Sequence, residues 1–349
     1  MRDIRIAVIA TTYDSIAIWN CMKQHINLML DTGASLSIFS PTTEKATFIQ
    51  GEFLPITYRF SGRGDLRRKI REMGINLIWY PTALTMVHYG CIGRNLKRIF
   101  WIQGSVADES WLRNHNRFRR FVLNMIEKYA IHKSDGLVYV SEAMKMFYEK
   151  KYNKCFFKYA IVPCVSDFHN FEPTSERIPE SYVYIGGLSK WQCFEEMVDV
   201  YAKVRTANSI WHIITMEKEK AERIIAKKLG KARDVYIYSI TDRSKIPHVL
   251  STFQYGFLIR KESPVNYVSS PIKFLEYLSC GVNVIMTDAV PSYSNIVKQF
   301  HIGTIVDLNQ INKVKIAQFS PDARNVYEAC FDKEQFVRQY KEIIDNIFK

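Results

Sequence analysis

The feature that most constrains this chain is an alternation kept up from one end to the other, in which short apolar runs are separated by segments of helical periodicity. The runs lie at residues 4–10, 75–80, 98–102 and 137–140, then at 182–185, 210–215, 235–238, 255–260 and 282–286, with shorter ones at 35–39, 159–162 and 304–306. Mostly apolar runs of this length fit strands covered on both faces, the environment of a parallel sheet between helical layers. Parallel neighbours need crossovers, and the helical segments supply them with the right-handed sense such connections take. The fold class this predicts is α/β, with doubly wound parallel sheets.

The rhythm breaks once, at residues 163–181, which hold Pro163, Pro173 and Pro179 and little periodicity. A chain of 349 residues also exceeds one ordinary core. Two Rossmann-like domains are therefore expected: residues 1–163 and 182–330, joined by a linker at 164–181, their sheets facing across a cleft. A helix over 331–349 is expected to pack back toward the first domain.

One unit of the alternation carries chemistry. In residues 269–286 two serines precede Pro271, a helical run ends at Gly281, and an apolar run follows at once. Serine at the N-cap, proline at the first helical position and glycine past the end predict a helix of three turns. Its start gathers unpaired backbone N–H groups, the hydroxyls of Ser269 and Ser270, and Lys273, all of which favour an anion. Glu276, three residues past Lys273 on the same face, suits a sugar hydroxyl as acceptor. A helix with no ligand at all can begin and end the same way, so neighbouring loops decide.

Two other strand ends of the second half agree with an anion. Gly186-Gly187 lets backbone approach closely, with Lys190 and Gln192 a turn further on, and Arg260-Lys261 follows an apolar run. In a parallel sheet these loops lie along one edge, where their cations converge. Arg260 suits a bidentate grip on phosphate, Lys273 and Lys190 act as point charges. No Asp-x-Asp occurs, so a metal-bridged diphosphate lacks its usual ligands and no metal is expected; no Gly-x-x-x-x-Gly-Lys-[Ser/Thr] and no Gly-x-Gly-x-x-Gly after the first strand occur either. A P-loop NTPase and a dinucleotide oxidoreductase lose their main support.

In the first half, the run at 98–102 stops at Gln103-Gly104 and opens into a polar stretch with Asp108 and Glu109. Ligands gather at the carboxyl ends of parallel strands, so Gln103, Gly104, Asp108 and Glu109 are candidates for an acceptor site, with Thr12 at the end of the first strand and His88 nearby. Asp108 and Glu109 equally fit caps of the next helix. Residues 115–133 predict one long helix with apolar positions at Phe118, Phe121, Val122, Met125, Ile126 and Tyr129 and with Arg113, Arg117, Arg119 and Arg120 at its start. Cations there oppose the helix dipole unless an anionic surface meets them.

Charge is unevenly placed: residues 1–165 hold 24 Lys and Arg against 13 Asp and Glu, whereas 166–349 hold 24 against 22. The basic half points to an anionic partner, either a phosphorylated substrate, an acidic lipid surface or nucleic acid, or else to a solvated basic face with no partner. The basic residues lack the aromatic interleaving of a nucleic-acid surface, and none is expected. No window reaches the length of a membrane span and no signal peptide is visible, so a cytoplasmic location is expected, with peripheral attachment to the inner face of the membrane. The cysteines are odd in number and scattered, without zinc spacing, which predicts reduced, mostly buried thiols.

The segment from Ser270 to Ile285 resembles the donor-binding motif of GT-B-fold glycosyltransferases, in particular the retaining family 4 group of capsular and exopolysaccharide type. Tyr184 to Trp191, Trp101-Ile102-Gln103-Gly104 and Val138 to Met144 resemble further stretches of that family, so the resemblance spans nearly the whole chain. It implies that Arg260 and Lys273 hold a diphosphate, that Glu276 bonds the ribose, that Ser239 and Ile240 border the base, and that the backbone at Gly186-Gly187 faces the phosphates. Two departures stand out. Val268 occupies the place of a glutamate that would touch the sugar, and Gly187 and Gln192 stand where the family has an arginine and a lysine; Lys190 is the nearest substitute.

The resemblance implies a hexosyltransferase of polysaccharide biosynthesis that moves a sugar from a nucleotide diphosphate, UDP by its frequency in the family, to a hydroxyl of a surface-glycan or lipid-linked acceptor. No permanently bound cofactor and no metal are implied. In a retaining enzyme of this type a phosphate oxygen takes the acceptor proton; an inverting one needs a base, with Asp108, Glu109 or His88 as the places to look. The alternatives are a GT-B-fold sugar-nucleotide epimerase and a non-catalytic protein binding anionic surfaces or nucleic acid through the basic half.

Overall fold

The structure, a computed structural model, describes residues 3–11, 16–42, 56–93, 95–164, 168, 171–174 and 176–349. It divides into two compact units, Met1–Val165 together with Lys333–Lys349, and Ser166–Asp332.

Among the described residues, the first unit builds a seven-stranded sheet from β1 (Arg5–Ile9), β2 (Ser35–Pro41), β3 (Thr57–Phe60), β4 (Leu77–Tyr80), β5 (Lys97–Ile102), β6 (Gly136–Tyr139) and β7 (Tyr159–Ile161), in the order β3-β2-β1-β4-β5-β6-β7. The second builds a six-stranded sheet from β8 (Ser181–Ile185), β9 (Ile210–Ile214), β10 (Val235–Tyr238), β11 (Tyr255–Leu258), β12 (Asn283–Met286) and β13 (Gly303–Ile305), in the order β10-β9-β8-β11-β12-β13. Every pairing is parallel. Both orders reverse direction once, between β1 and β4 in the first unit and between β8 and β11 in the second. At such a switch point the crossovers leave to opposite faces and a crevice opens beyond the strand ends.

The central strands of both sheets are buried on each face, while the edge strands are only partly covered. β4, β6, β8, β11 and β12 are buried along their whole length, at about 1.5–3 kcal/mol for each large apolar side chain. The final helix, Lys333–Phe348, belongs to the first unit. Its Ile343 and Ile347 press on β6 where Gly136 has no Cβ to interfere, and the Gln339 carboxamide oxygen accepts from the Ile161 N–H at 2.6 Å.

Several elements differ from the sequence reading. The helix expected over 115–133 is present but starts two residues late, at Arg117, capped by the Asn116 side chain, and a separate helix Val106–Asn114, not expected, precedes it and ends where His115 takes a left-handed conformation (φ 48°). The helix expected over 271–280 begins one residue late, at Ile272, and covers eight residues to Ser279. Ser269 ends a separate short helix, Pro264–Val268, which Ser263 caps. Helices Ala83–Tyr89 and Pro291–Phe300 and strand β3 were not expected. All seven cysteines are free thiols, but only Cys193 and Cys280 are buried.

Candidate functional site

The switch point of the second sheet is held open by one side chain. β8 and β11 pair over only two residues, Tyr182 with Tyr255 and Val183 with Gly256. Beyond that the strands part, and Tyr277 from the helix Ile272–Ser279 fills the gap: its hydroxyl accepts from the Ile185 N–H and donates to the Phe257 carbonyl, both at 3.3 Å. A Cβ on Gly256 would sit 2.8 Å from the Tyr277 ring, so only glycine admits it. The helix is fixed from its other side by Phe274, stacked on Tyr293 at 4.3 Å.

That anchoring delivers Lys273 to the crevice. Its stem passes so close to Gly186 that a Cβ there would lie 2.7 Å from Nζ, and Gly186 holds a φ of +127° that other residues rarely take. Nζ donates to the Gln192 carboxamide oxygen at 2.7 Å and lies 5.3 Å from the centre of the Tyr184 ring. The Tyr184 hydroxyl in turn donates to the Gly187 carbonyl at 2.5 Å. Gln192, which stands where the resemblance has a lysine, is thus the hydrogen-bond partner of the buried cation.

Arg260, at the end of β11, is only 4% exposed. Its backbone exchanges hydrogen bonds with the Thr287 hydroxyl, 3.0 Å to N and 2.6 Å from O, while among the described residues its guanidinium reaches only the Ile259 carbonyl, at 3.4 Å. Among the described residues neither Arg260 nor Lys273 has a carboxylate within ion-pair distance. Burial lowers the Arg260 pKa, and burial together with the Arg260 charge brings Lys273 down to about 7, with Glu276 opposing. Two buried, mutually repelling cations without a directly paired anion make a costly arrangement, of the kind functional sites retain.

The loop between them is braced by Glu217, whose carboxylate accepts from the Leu188 N–H at 2.5 Å and pairs with Lys220, itself bonded to the Leu188 carbonyl. Lys190 is exposed, in a short 3-10 turn, and the cation beside Gln192 is Lys273. Ser239 donates to the Thr215 carbonyl at 2.7 Å, and Ile240 follows it in the half-buried loop after β10. Both serines before the helix spend their hydroxyls internally: Ser269 donates to the Asn266 carbonyl, and Ser270 bonds the Tyr293 hydroxyl at 2.6 Å. Glu276 is buried and accepts from Arg243 at 2.6 Å. Sequence reading passed over Arg243, although it too lies in a loop after a strand end.

In the first unit the switch point gathers hydroxyls. Thr11 meets Thr85 at 3.3 Å and Thr82 meets Thr85 at 2.8 Å, and the Gln103 amide donates to the Pro81 carbonyl at 2.7 Å. Thr12 lies outside the described residues. Gly104 gives room to Glu109, whose carboxylate oxygen would be 2.6 Å from a Cβ there. Burial raises the Glu109 pKa, with Arg113 opposing. Asp108 is buried between Ser105, at 2.5 Å, and Arg120, at 2.7 Å, and so ties one helix to the next. His88 is exposed beside Tyr89.

No family model and no curated protein matches the sequence. Solved structures share its fold. A glycosyltransferase from Rickettsia africae superimposes with a TM-score of 0.70 over 100% of both chains at 12% identity. Sucrose-phosphate synthase from Thermosynechococcus elongatus gives 0.69 over 99% of this chain and 95% of its own at 14% identity. HepE of Anabaena, solved with UDP and glucose, gives 0.69 over 98% and 100% at 12% identity. The chain therefore has the GT-B fold, two Rossmann-like α/β units with parallel sheets.

Proposed function

We propose that this protein is a glycosyltransferase of the hexosyltransferase type, which takes its sugar from a nucleotide diphosphate held by the second unit. The observation that carries this is the pair Arg260 and Lys273, buried at the switch-point crevice with, among the described residues, no carboxylate within ion-pair distance of either. A diphosphate supplies the missing negative charge, and the backbone of Gly186-Gly187 lines its approach. Glu276, oriented by Arg243, is assigned to the ribose, and Ser239 and Ile240 to the base. HepE was solved with UDP and glucose, which favours UDP as the first base to try.

Residues 182–330 form the donor side in this reading. Residues 1–163, with the helix of 331–349, form the acceptor side, where Thr12, His88, Gln103 and Gly104 meet a hydroxyl of a surface glycan or lipid-linked acceptor in the cytoplasm. Transfer forms the bond from the acceptor oxygen to the anomeric carbon and breaks the bond from that carbon to the phosphate oxygen. In the retaining course proposed, the hydroxyl proton passes to a phosphate oxygen, and Arg260 and Lys273 stabilise the departing charge without a metal. Glu109, whose pKa burial raises, is the candidate base should the reaction invert.

Thermal shift against UDP, GDP, ADP and TDP tests the donor site. One of them should raise the melting temperature, and Lys273→Ala and Arg260→Ala should each abolish the rise. A chain indifferent to all four is not a nucleotide-sugar enzyme. Incubation with nucleotide sugar alone separates transfer from epimerisation, since only an epimerase alters the sugar without an acceptor.

A further inference from the structure

The helix Arg117–Lys133 buries the side opposite to the one its apolar pattern suggests. Its buried residues are Glu127, Ala130 and Ile131, whereas Phe118 is 76% exposed, Phe121 61%, Met125 52%, Tyr129 41% and Val122 38%. At about 100° per residue these five fall within one stripe, roughly a quarter of the helix circumference, on the outer face. Arg117 and Lys128 border the stripe along one side and Arg119 and Lys133 along the other, all exposed. Among the described residues none of these four cations makes an ion pair. The helix's one acidic residue, Glu127, points inward to Lys151 at 2.9 Å. In its last turn His132 meets the Phe156 ring at 6.4 Å, and the residue after that ring, Phe157, is 87% exposed and flanked in sequence by Lys154 and Lys158.

We propose that this face docks the protein on an anionic lipid bilayer, with the apolar stripe entering the interface and the flanking cations meeting phosphate headgroups. A straight apolar stripe with cations on both sides matches a planar anionic surface. A second copy of the chain is disfavoured, since two such faces would bring their unpaired cations together. The proposal names the surface behind the lipid partner expected from charge, and it stands independently of the donor site.

Sedimentation with vesicles of phosphatidylcholine containing roughly 30 mol % phosphatidylglycerol tests it, beside vesicles of phosphatidylcholine alone. The wild-type chain should bind the anionic vesicles, lose binding as salt rises, and ignore the neutral ones. Phe118→Ser/Phe121→Ser/Met125→Ser should weaken binding at least about tenfold, and Arg117→Gln/Arg119→Gln should weaken it and flatten the salt dependence, while melting temperature and nucleotide response stay as in wild type. Absence of vesicle binding by the folded wild type overturns the proposal, as does binding indifferent to the serine substitutions. A dimer in light scattering that the same substitutions dissolve overturns it too, giving the face to a second copy. Nucleotide response is read separately, so failure of the donor assignment and failure of this one are distinguishable.

Discussion

Gly186 and Lys273 share one space: the hydrogen position of the glycine faces the lysine ammonium, and a Cβ there would lie 2.7 Å from Nζ. The loop thus depends on glycine twice, for φ of +127° and for the passage of the side chain. Gly186→Ala should push Lys273 away from Gln192 and weaken nucleotide binding about tenfold, or ~1.4 kcal/mol. Isothermal titration on the folded variant checks this. Unaltered affinity would mean that Lys273 is not where the phosphates bind.

The Lys273 charge gives the free protein a pH dependence of known sign. Below about pH 7 folded and unfolded chains both carry its proton, and the folded state bears the full cost of a buried cation; between about 7 and 10.5 only the unfolded chain binds the proton. Stability contributed by this group therefore rises with pH through that window. Lys273→Met should raise the melting temperature of the free protein near neutral pH, flatten this slope and remove the nucleotide response. Wild-type nucleotide affinity should fall as pH rises above about 7, because an anion draws a proton onto Lys273. Melting curves of both proteins across pH would refute this if their slopes coincide.

The pairing of buried Glu276 with partly exposed Arg243 allows the proposed ribose contact to be tested apart from the proposed phosphate contacts. Glu276→Gln should weaken UDP far more than inorganic pyrophosphate, because the proposed phosphate contacts are Arg260 and Lys273 and not Glu276. Arg243→Gln should cost about 1–3 kcal/mol of stability, since it removes a cation from a buried carboxylate. Competition between UDP and pyrophosphate in both variants is the measurement, and equal losses for the two ligands would contradict the assignment.

The parallel sheets were legible because strands buried on both faces leave mostly apolar runs, and the convergence of Arg260 and Lys273 because loops at one sheet edge are few. Other features were hidden for physical reasons. Periodicity shows that Phe118, Phe121 and Met125 share a helix face, but the side that meets the core is set by Glu127 and Lys151 pairing across 24 residues. The left-handed turn at His115 carries no glycine to announce it. Ser270 looked like a helix cap because Pro271 follows, yet Pro271 itself takes the cap position and the Ser270 hydroxyl bonds Tyr293, while Ser269 ends the short helix before it and donates to the Asn266 carbonyl. The bridge from Tyr277 to β8 and β11 joins residues up to 92 positions apart, which no local pattern encodes.

The final helix is tied to the first unit by a bond between two buried rings: His25 Nδ1 lies 2.7 Å from the Tyr340 hydroxyl. His25 also lies against Trp101 at 4.2 Å, and burial brings its pKa down to about 3 from 6.5. In that interval the unfolded chain binds a proton that the folded chain refuses. The stability from keeping His25 neutral is complete above pH 6.5 and drains away as pH falls toward 3. His25→Phe should therefore flatten the acid limb of the stability curve, while costing about 1–3 kcal/mol at neutral pH by leaving the Tyr340 hydroxyl without its partner. Adding Tyr340→Phe should return most of that loss, because neither polar group then remains buried alone. Urea unfolding of the three proteins at pH 7 and pH 4 decides: if wild type and His25→Phe lose equal stability between those values, His25 does not govern acid sensitivity, and the grip on the helix rests on its apolar face.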